Sequence, residues 1–320
     1  MKQTPTTLYS RNAHARDANI QFQEEGHKYT ILTDRESKYT SCTTWNHTHF
    51  APFNADAIIE SMMKGKNWNP SNKYWGLTAN QIKQQWASSG QAAAEAGTQM
   101  HYEIECFING GNSFPQPLDG GNSFPQTPGG IASPHTPSVL FLPNKYTHRD
   151  LLQEERGFQH QERGIEWSFF LQFVRDTPQL VPYRTEWLIY DEQVKISGSI
   201  DMVYENQEDG TLAIYDWKRV KSIDKTNGFN KWATTECISH LPDSNFWHYA
   251  LQLNTYKTIL ERNYGKQVSA MYLVRLHPDN PKKTYELLKV PVLESEMTDL
   301  FTLLTTFKKV VPNNSTFNNL

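Results

Sequence analysis

Three consecutive strand-like segments in the middle of the chain place the tightest limit on its fold. Residues 183–190, 194–204 and 211–217 are rich in β-branched and aromatic side chains, and short turns join them. A helical pattern follows at 246–263, and a fourth strand-like segment follows at 268–276. A meander of strands followed by a helical crossover to another strand predicts an α/β domain, with a mixed central β-sheet flanked by helices.

The remaining periodic segments predict a β-hairpin and further helices around this sheet. Their predicted bounds are a hairpin at 27–44 with its turn at 33–35, helices at 56–64, from Thr78 to about 107, at 149–176 and at 294–308, and a last strand at 285–292. We therefore predict an N-terminal hairpin and helices covering the core at 1–90, and the core itself at 91–320.

A low-complexity stretch interrupts the predicted core. The sequence Gly-Gly-Asn-Ser-Phe-Pro-Gln at 110–116 recurs at 120–126, within a stretch rich in Pro, Gly and Ser. The repeat is too short, and too poor in apolar residues, to stack as a solenoid. We expect 109–144 to be a mobile insertion without a direct role in chemistry.

Composition excludes several classes of protein. The net charge of −3 is not typical of a protein that coats nucleic acid through bulk charge, and no apolar run is long enough to span a membrane. The three cysteines, Cys42, Cys106 and Cys237, have neither metal-site nor disulfide spacing, and residues 1–19 contain no apolar signal segment. We expect an intracellular, non-secreted protein. The sequence also lacks a P-loop motif, so no nucleotide cofactor is expected.

Two predicted strands each carry one carboxylate at or near an apolar end. Asp201 follows Ser-Gly-Ser-Ile, and Asp216 lies two residues before Lys218. Side chains two apart on a strand share a face, so Asp216 and Lys218 are expected together while Trp217 points to the other face. Burying lone carboxylates is unfavourable unless they are paired or bind a metal. Asp201, Asp216 and the Trp217 carbonyl therefore predict a site for a hard divalent cation. The competing interpretation is a solvated or salt-bridged set of charges.

Four motifs in a fixed order resemble the PD-(D/E)XK nuclease superfamily, in particular its RecB-like and lambda-exonuclease-like branch. That branch includes the CRISPR-associated exonucleases and the mitochondrial genome maintenance exonuclease. The motifs are G-x-x-x-H at Gly97–His101, G-x-(I/V)-D at Gly198–Asp201, D-x-K at Asp216–Lys218 and Q-x-x-x-Y at Gln252–Tyr256. The resemblance covers about 90–108 and 181–292, and it implies a restriction-endonuclease-like core.

The resemblance also implies roles for these residues. It makes His101 a metal ligand beside Asp201, Asp216 and Trp217, and it makes Lys218 the residue that assists attack by water. Gln252 and Tyr256 would support the site, and Glu186 would add a ligand or position water. A neutral imidazole is an unusual ligand for Mg²⁺ but suits Mn²⁺ well, so Mn²⁺ is expected to support activity at least as well as Mg²⁺. The implied reaction is hydrolysis of DNA, mostly from ends, in DNA processing, repair or recombination.

Several alternatives stay open at this point. An endonuclease could use the same site, and a non-catalytic DNA-binding module could use the same fold. A carboxylate-pair glycosidase is a more distant alternative, because the lysine has no role in that chemistry. Basic residues follow the D-x-K motif, with Asn227, Phe229 and Trp232 interleaved. A solvated loop explains them as well as contacts to a single strand or a frayed duplex end do. The basic residues are Arg219, Lys221, Lys225 and Lys231.

Overall fold

The computed structural model describes residues 7–110, 145–153 and 163–310, with the backbone alone at 307–310. The predicted insertion at 109–144 therefore lies almost wholly outside the described residues.

The N-terminal hairpin lies earlier in the chain than predicted. Strands β1 (Ile20–Gln23) and β2 (Lys28–Ile31) pair antiparallel. The turn between them contains Gly26 and His27, whose φ angles are 75° and 48°. Positive φ values in a hairpin turn match the twist of the strands, and glycine reaches them without steric cost. Residues 32–33 and 35–36 do form turns, but β2 is not hydrogen-bonded to the strand that follows them, so the predicted hairpin at 27–44 was wrong.

Six strands form the central sheet. In chain order they are β3 (Thr40–Ser41), β4 (Val181–Asp191), β5 (Ile196–Glu205), β6 (Leu212–Lys218), β7 (Val268–Arg275) and β8 (Glu286–Lys289). Strand β4 runs antiparallel along one side of β5. The other side of β5 pairs with β3 in parallel near its start and with β6 antiparallel near its end. Strands β6 and β7 are parallel, and β8 closes the far edge antiparallel. The predicted mixed sheet is confirmed.

Helices cover both faces of this sheet. In the described residues they are α1 (Leu8–Arg11), α2 (Cys42–His47), α3 (Ala55–Lys64), α4 (Ala79–Ile108), α5 (His148–Gln153), α6 (Ile165–Asp176), α7 (Asn245–Asn263) and α8 (Glu294–Val310). Helices α2, α7 and α8 pack on one face, in a core that includes Ile214 and Leu273. Helices α4, α5 and α6 pack on the other face, in a core that includes Tyr215 and Trp217. None of the helices in the described ranges is long and apolar enough to cross a membrane.

Local signals account for the helix bounds. Helix α4 begins after Thr78, whose hydroxyl accepts from the Gln81 backbone N–H while the Gln81 side chain accepts from the Thr78 backbone N–H. Gly265, with φ of 60°, follows the end of α7 as the left-handed residue that often terminates a helix. Helix α4 continues across 90/91, the predicted boundary between the N-terminal region and the core. The position of that boundary stays a prediction. Strand β8 is shorter than predicted, because Pro291 has no N–H to extend the ladder.

Candidate active site

His101, Glu186 and Asp201 converge at one point of the structure. Each offers one ligand atom, and the three atoms all lie within 4.8 Å of one another. The Nδ1 atom of His101 is 3.6 Å from Asp201 Oδ2 and 4.0 Å from Glu186 Oε1. These residues come from α4, β4 and β5, which are distant in sequence. An imidazole nitrogen with two carboxylates is a donor set that suits a divalent cation such as Mn²⁺ or Mg²⁺.

The backbone of Trp217 holds two of these side chains in place. Its N–H donates to Asp201 Oδ2 over 2.9 Å, and its carbonyl oxygen lies 3.0 Å from His101 Nε2. Because a carbonyl only accepts, His101 Nε2 is the donor in this contact, and Nδ1 faces the carboxylates. Such a bond fixes the tautomer and orientation of a metal-binding histidine. The predicted ligand role of the Trp217 carbonyl itself stays a prediction.

Glu186 reaches the cluster from an unusual backbone conformation. Its φ is 42°, a left-handed value that is rare for a non-glycine residue and is unfavourable by about 1–3 kcal/mol. The strand register pairs Thr185 with Met202 and Trp187 with Ile200, so Glu186 lies opposite Asp201. The Ser199 hydroxyl donates to Glu186 Oε2 over 2.8 Å and orients the carboxylate.

Asp216 and Lys218 form a buried ion pair on the side of the sheet covered by α7. Lys218 Nζ is 2.6 Å from Asp216 Oδ2, and the two side chains are 16% and 2% exposed. Apart from this ion pair, neither Asp216 oxygen has a hydrogen-bond partner among the described residues. Lys218 Nζ also lies 4.6 Å from the centroid of the Tyr249 ring. The shared face predicted from the D-x-K spacing is present, but Asp216 is not part of the three-residue cluster.

Burial and mutual repulsion raise the pKa values of Glu186 and Asp216. Burial, followed by the charge of Asp201, raises the pKa of Glu186. Burial also raises the pKa of Asp216, although Lys218 opposes that shift. Burial alone would lower the pKa of Lys218, but the charges of Asp216 and Asp201 outweigh it and raise that pKa. The positive charge of a bound cation would offset this repulsion. It would also favour the deprotonated carboxylates, because metal ligands must be deprotonated.

Tyr256 packs on β5 at Gly198 and is hydrogen-bonded to Gln252, while the supporting role of both residues stays a prediction. The Gln252 amide donates to the Tyr256 hydroxyl over 3.0 Å, and Tyr256 is only 3% exposed. A Cβ atom at Gly198 would lie 2.7 Å from Tyr256 Cε1, a distance that real Cβ contacts do not show. Position 198 is therefore a glycine because the Tyr256 ring occupies the space of a side chain.

Sequence reasoning missed Ser199 and Tyr249, which contact Glu186 and Lys218. Ser199 lies within the G-x-(I/V)-D motif, and Tyr249 lies one helical turn before Gln252, so each had a positional signal. Glu105, one turn after His101, is 6% exposed, and its Oε1 has no hydrogen-bond partner among the described residues. Burial and the charge of Glu186 raise the pKa of Glu105.

A family model for the PD-(D/E)XK nuclease superfamily matches residues 77–315. The chain belongs to the PD-(D/E)XK nuclease superfamily. The match runs from the start of α4 through α8 and contains every predicted site residue. No curated protein matches the chain.

Membership in this superfamily confirms the predicted fold class and indicates the kind of reaction that the protein catalyses. Members of the superfamily are mostly hydrolytic nucleases that use divalent metals, so this protein is expected to hydrolyse nucleic acid with a metal. The match does not extend to the RecB-like and lambda-exonuclease-like branch, which stays a resemblance.

Proposed function

We propose that this nuclease is a DNA exonuclease whose metal centre is formed by His101, Asp201 and Glu186, with Asp216 and Lys218 beside it. The observation that carries the proposal is the convergence of three ligand atoms within 4.8 Å, next to a buried aspartate–lysine pair. A divalent cation bound there would polarise the scissile phosphate and lower the pKa of the attacking water.

The protein groups have separate tasks in this proposal. His101 and Asp201 hold their positions through the backbone of Trp217, so the ligands are oriented before the metal binds. Lys218 carries a positive charge at the edge of the cluster, where it can orient water and stabilise charge that develops on the phosphate oxygens. Asp216 holds the Lys218 ammonium group through their ion pair, or moves to the metal when one binds.

The exonuclease assignment rests on the four ordered motifs that the chain shares with a mostly exonucleolytic branch. An endonuclease on the same site would differ in its need for free ends. We propose DNA rather than RNA as the substrate on the same family grounds, with a place in DNA processing, repair or recombination.

A time course on three DNA forms tests this function. End-labelled single-stranded DNA, linear duplex and closed circular DNA are incubated with Mn²⁺, Mg²⁺ or EDTA. Metal-dependent loss of the linear forms, with the circle intact, is the expected result. Cutting of the circle would make the protein an endonuclease. The absence of cleavage with either metal would leave a DNA-binding module on a nuclease fold.

A further inference from the structure

The connection between β6 and α7 presents an aromatic ring to solvent. Phe229 is 82% exposed, more than any other large apolar side chain in the described part of the chain. Trp232, three residues later, is 47% exposed. Isolated exposed apolar residues are common. A ring this exposed on a fixed backbone is, however, a candidate binding surface.

The loop 225–232 is fixed by its own hydrogen bonds. The Asn227 side-chain oxygen accepts from the backbone N–H groups of Phe229 and Lys231, over 3.0 and 2.9 Å. The Asn227 side-chain amide donates back to the Lys231 carbonyl over 2.6 Å. The loop is therefore closed on itself around Asn227, and Phe229 lies at its tip. Such a loop presents the ring with little backbone entropy left to lose on binding.

This loop is joined to the same end of α7 that contacts Lys218. The Trp247 indole N–H donates to the Lys225 carbonyl over 3.0 Å. Trp247 is two residues before Tyr249 on the same helix, although their side chains leave it on nearly opposite sides. Phe229 is eleven residues after Lys218, and eleven residues span at most roughly 40 Å. A short single strand that ends at the lysine of the D-x-K motif is therefore long enough to reach the ring.

Positive charge accompanies the ring. Closer to the site, Arg219 pairs with Glu166 at 2.7 Å and Lys221 pairs with Asp279 at 3.3 Å. Lys225 and Lys231 take part in no ion pair with any residue that the structure describes. Lys231 Nζ lies 6.0 Å from the centroid of the Phe229 ring. Lys225 Nζ lies 4.8 Å from the centroid of the Phe246 ring in α7. An exposed aromatic ring in a loop with two lysines that form no ion pair combines base stacking with phosphate contacts, which is how single strands are bound without sequence preference.

We propose that Phe229 stacks on an unpaired nucleobase of the DNA strand that leads into the active site, while Lys225 and Lys231 contact neighbouring phosphates. The proposal rests on the nuclease function proposed above and names the form of substrate. A base inside a duplex is stacked on both faces, so the ring can take only a base of a single strand or a frayed end.

Binding of a fluorescein-labelled single-stranded oligonucleotide, measured by anisotropy in EDTA to prevent cleavage, tests the stacking. Phe229→Ala should raise Kd about 5- to 150-fold, the range found when a stacking aromatic is truncated. Phe229→Tyr keeps the ring face and should bind within about twofold of wild type. Leu303→Ala, on α8 with a 39% exposed side chain, is the matched control and should leave Kd unchanged. Wild-type affinity in Phe229→Ala would overturn the proposal.

A scan with abasic sites separates stacking from a general loss of affinity. One abasic site is moved along the oligonucleotide, and wild type should lose affinity at one position. Phe229→Ala should lose that position dependence, and an unchanged profile would overturn the proposal. If wild type cleaves linear DNA with Mn²⁺ while Phe229→Ala retains the profile, the stacking fails and the nuclease stands. If wild type neither binds nor cleaves DNA, both fail. Dissociation of a dimer by Phe229→Ala would assign the ring to self-association instead.

Discussion

The packing of Tyr256 against Gly198 makes a quantitative prediction. The added Cβ of Gly198→Ala would lie 2.7 Å from Tyr256 Cε1, 3.2 Å from the Tyr256 hydroxyl and 3.3 Å from Cys42 Cβ. Tyr256 is 3% exposed and Cys42 is fully buried, so neither can move into open space. The ring must therefore shift, and its partner Gln252 must shift with it.

The expected loss of stability follows from two opposing effects. Overpacking in a filled core raises the free energy of the folded state by about 1–3 kcal/mol. Replacing glycine with alanine also restricts the unfolded chain, which stabilises the protein by about 0.4–1 kcal/mol. We expect a net destabilisation of about 1–2 kcal/mol. Cleavage should fall as well, up to about 10²-fold, because an error of about 1 Å in a supporting group can have that effect.

Urea unfolding in EDTA measures the stability, and cleavage of linear DNA with Mn²⁺ measures the activity. Gly90→Ala is the matched control, because a Cβ there meets nothing within 4 Å and lies inside α4. That variant should gain up to about 1 kcal/mol in helix stability and should cleave normally. In a Tyr256→Leu background, Gly198→Ala should add little further destabilisation. A Gly198→Ala protein as stable as wild type would refute the packing argument.

The remaining predictions concern the charged groups. Lys218→Ala should lower the cleavage rate by about 10²–10³-fold while DNA affinity is retained, and wild-type cleavage would remove Lys218 from the mechanism. His101→Ala should shift the Mn²⁺ midpoint for cleavage upward by at least about 10-fold, and an unchanged titration would exclude His101 as a ligand. The folded state raises the pKa values of Glu186 and Asp216, so it retains protons that the unfolded chain releases. The retained protons therefore stabilise the metal-free folded state fully below about pH 4. This stabilisation is lost as the pH rises through the raised pKa values. Mn²⁺ should consequently raise the melting temperature more at pH 8 than at pH 5, which differential scanning fluorimetry measures, and equal shifts would contradict this.

Local patterns in the sequence predicted the elements that local forces determine. The Thr78 cap and the helical periodicity placed the start of α4 correctly, and the two-residue spacing placed Asp216 and Lys218 on one face. The hairpin was misplaced because residues 32–36 do contain turns, whereas the turn that joins two paired strands is made at Gly26 and His27. Composition alone does not decide between two candidate turns when each is flanked by β-forming residues.

Features that depend on tertiary contacts could not be predicted in the same way. The left-handed backbone of Glu186, in the middle of β4, has no signature in its own residue type, because a non-glycine residue rarely adopts it. Whether the Asp216 carboxylate forms an ion pair with Lys218 or binds a metal depends on distances across the sheet. The sequence also did not indicate that the backbone of Trp217 contacts both His101 and Asp201.

The most direct test of the metal centre is the cleavage rate as a function of Mn²⁺ concentration, in wild type and in Asp201→Asn. The substitution keeps the size of the side chain but removes the charge that faces His101 and Glu186. We expect cleavage by wild type to be absent in EDTA and to rise to saturation with Mn²⁺. Asp201→Asn should be at least about 100-fold slower at the same metal concentration. Cleavage that persists in EDTA, or a wild-type titration curve in Asp201→Asn, would contradict a metal-dependent nuclease at this cluster.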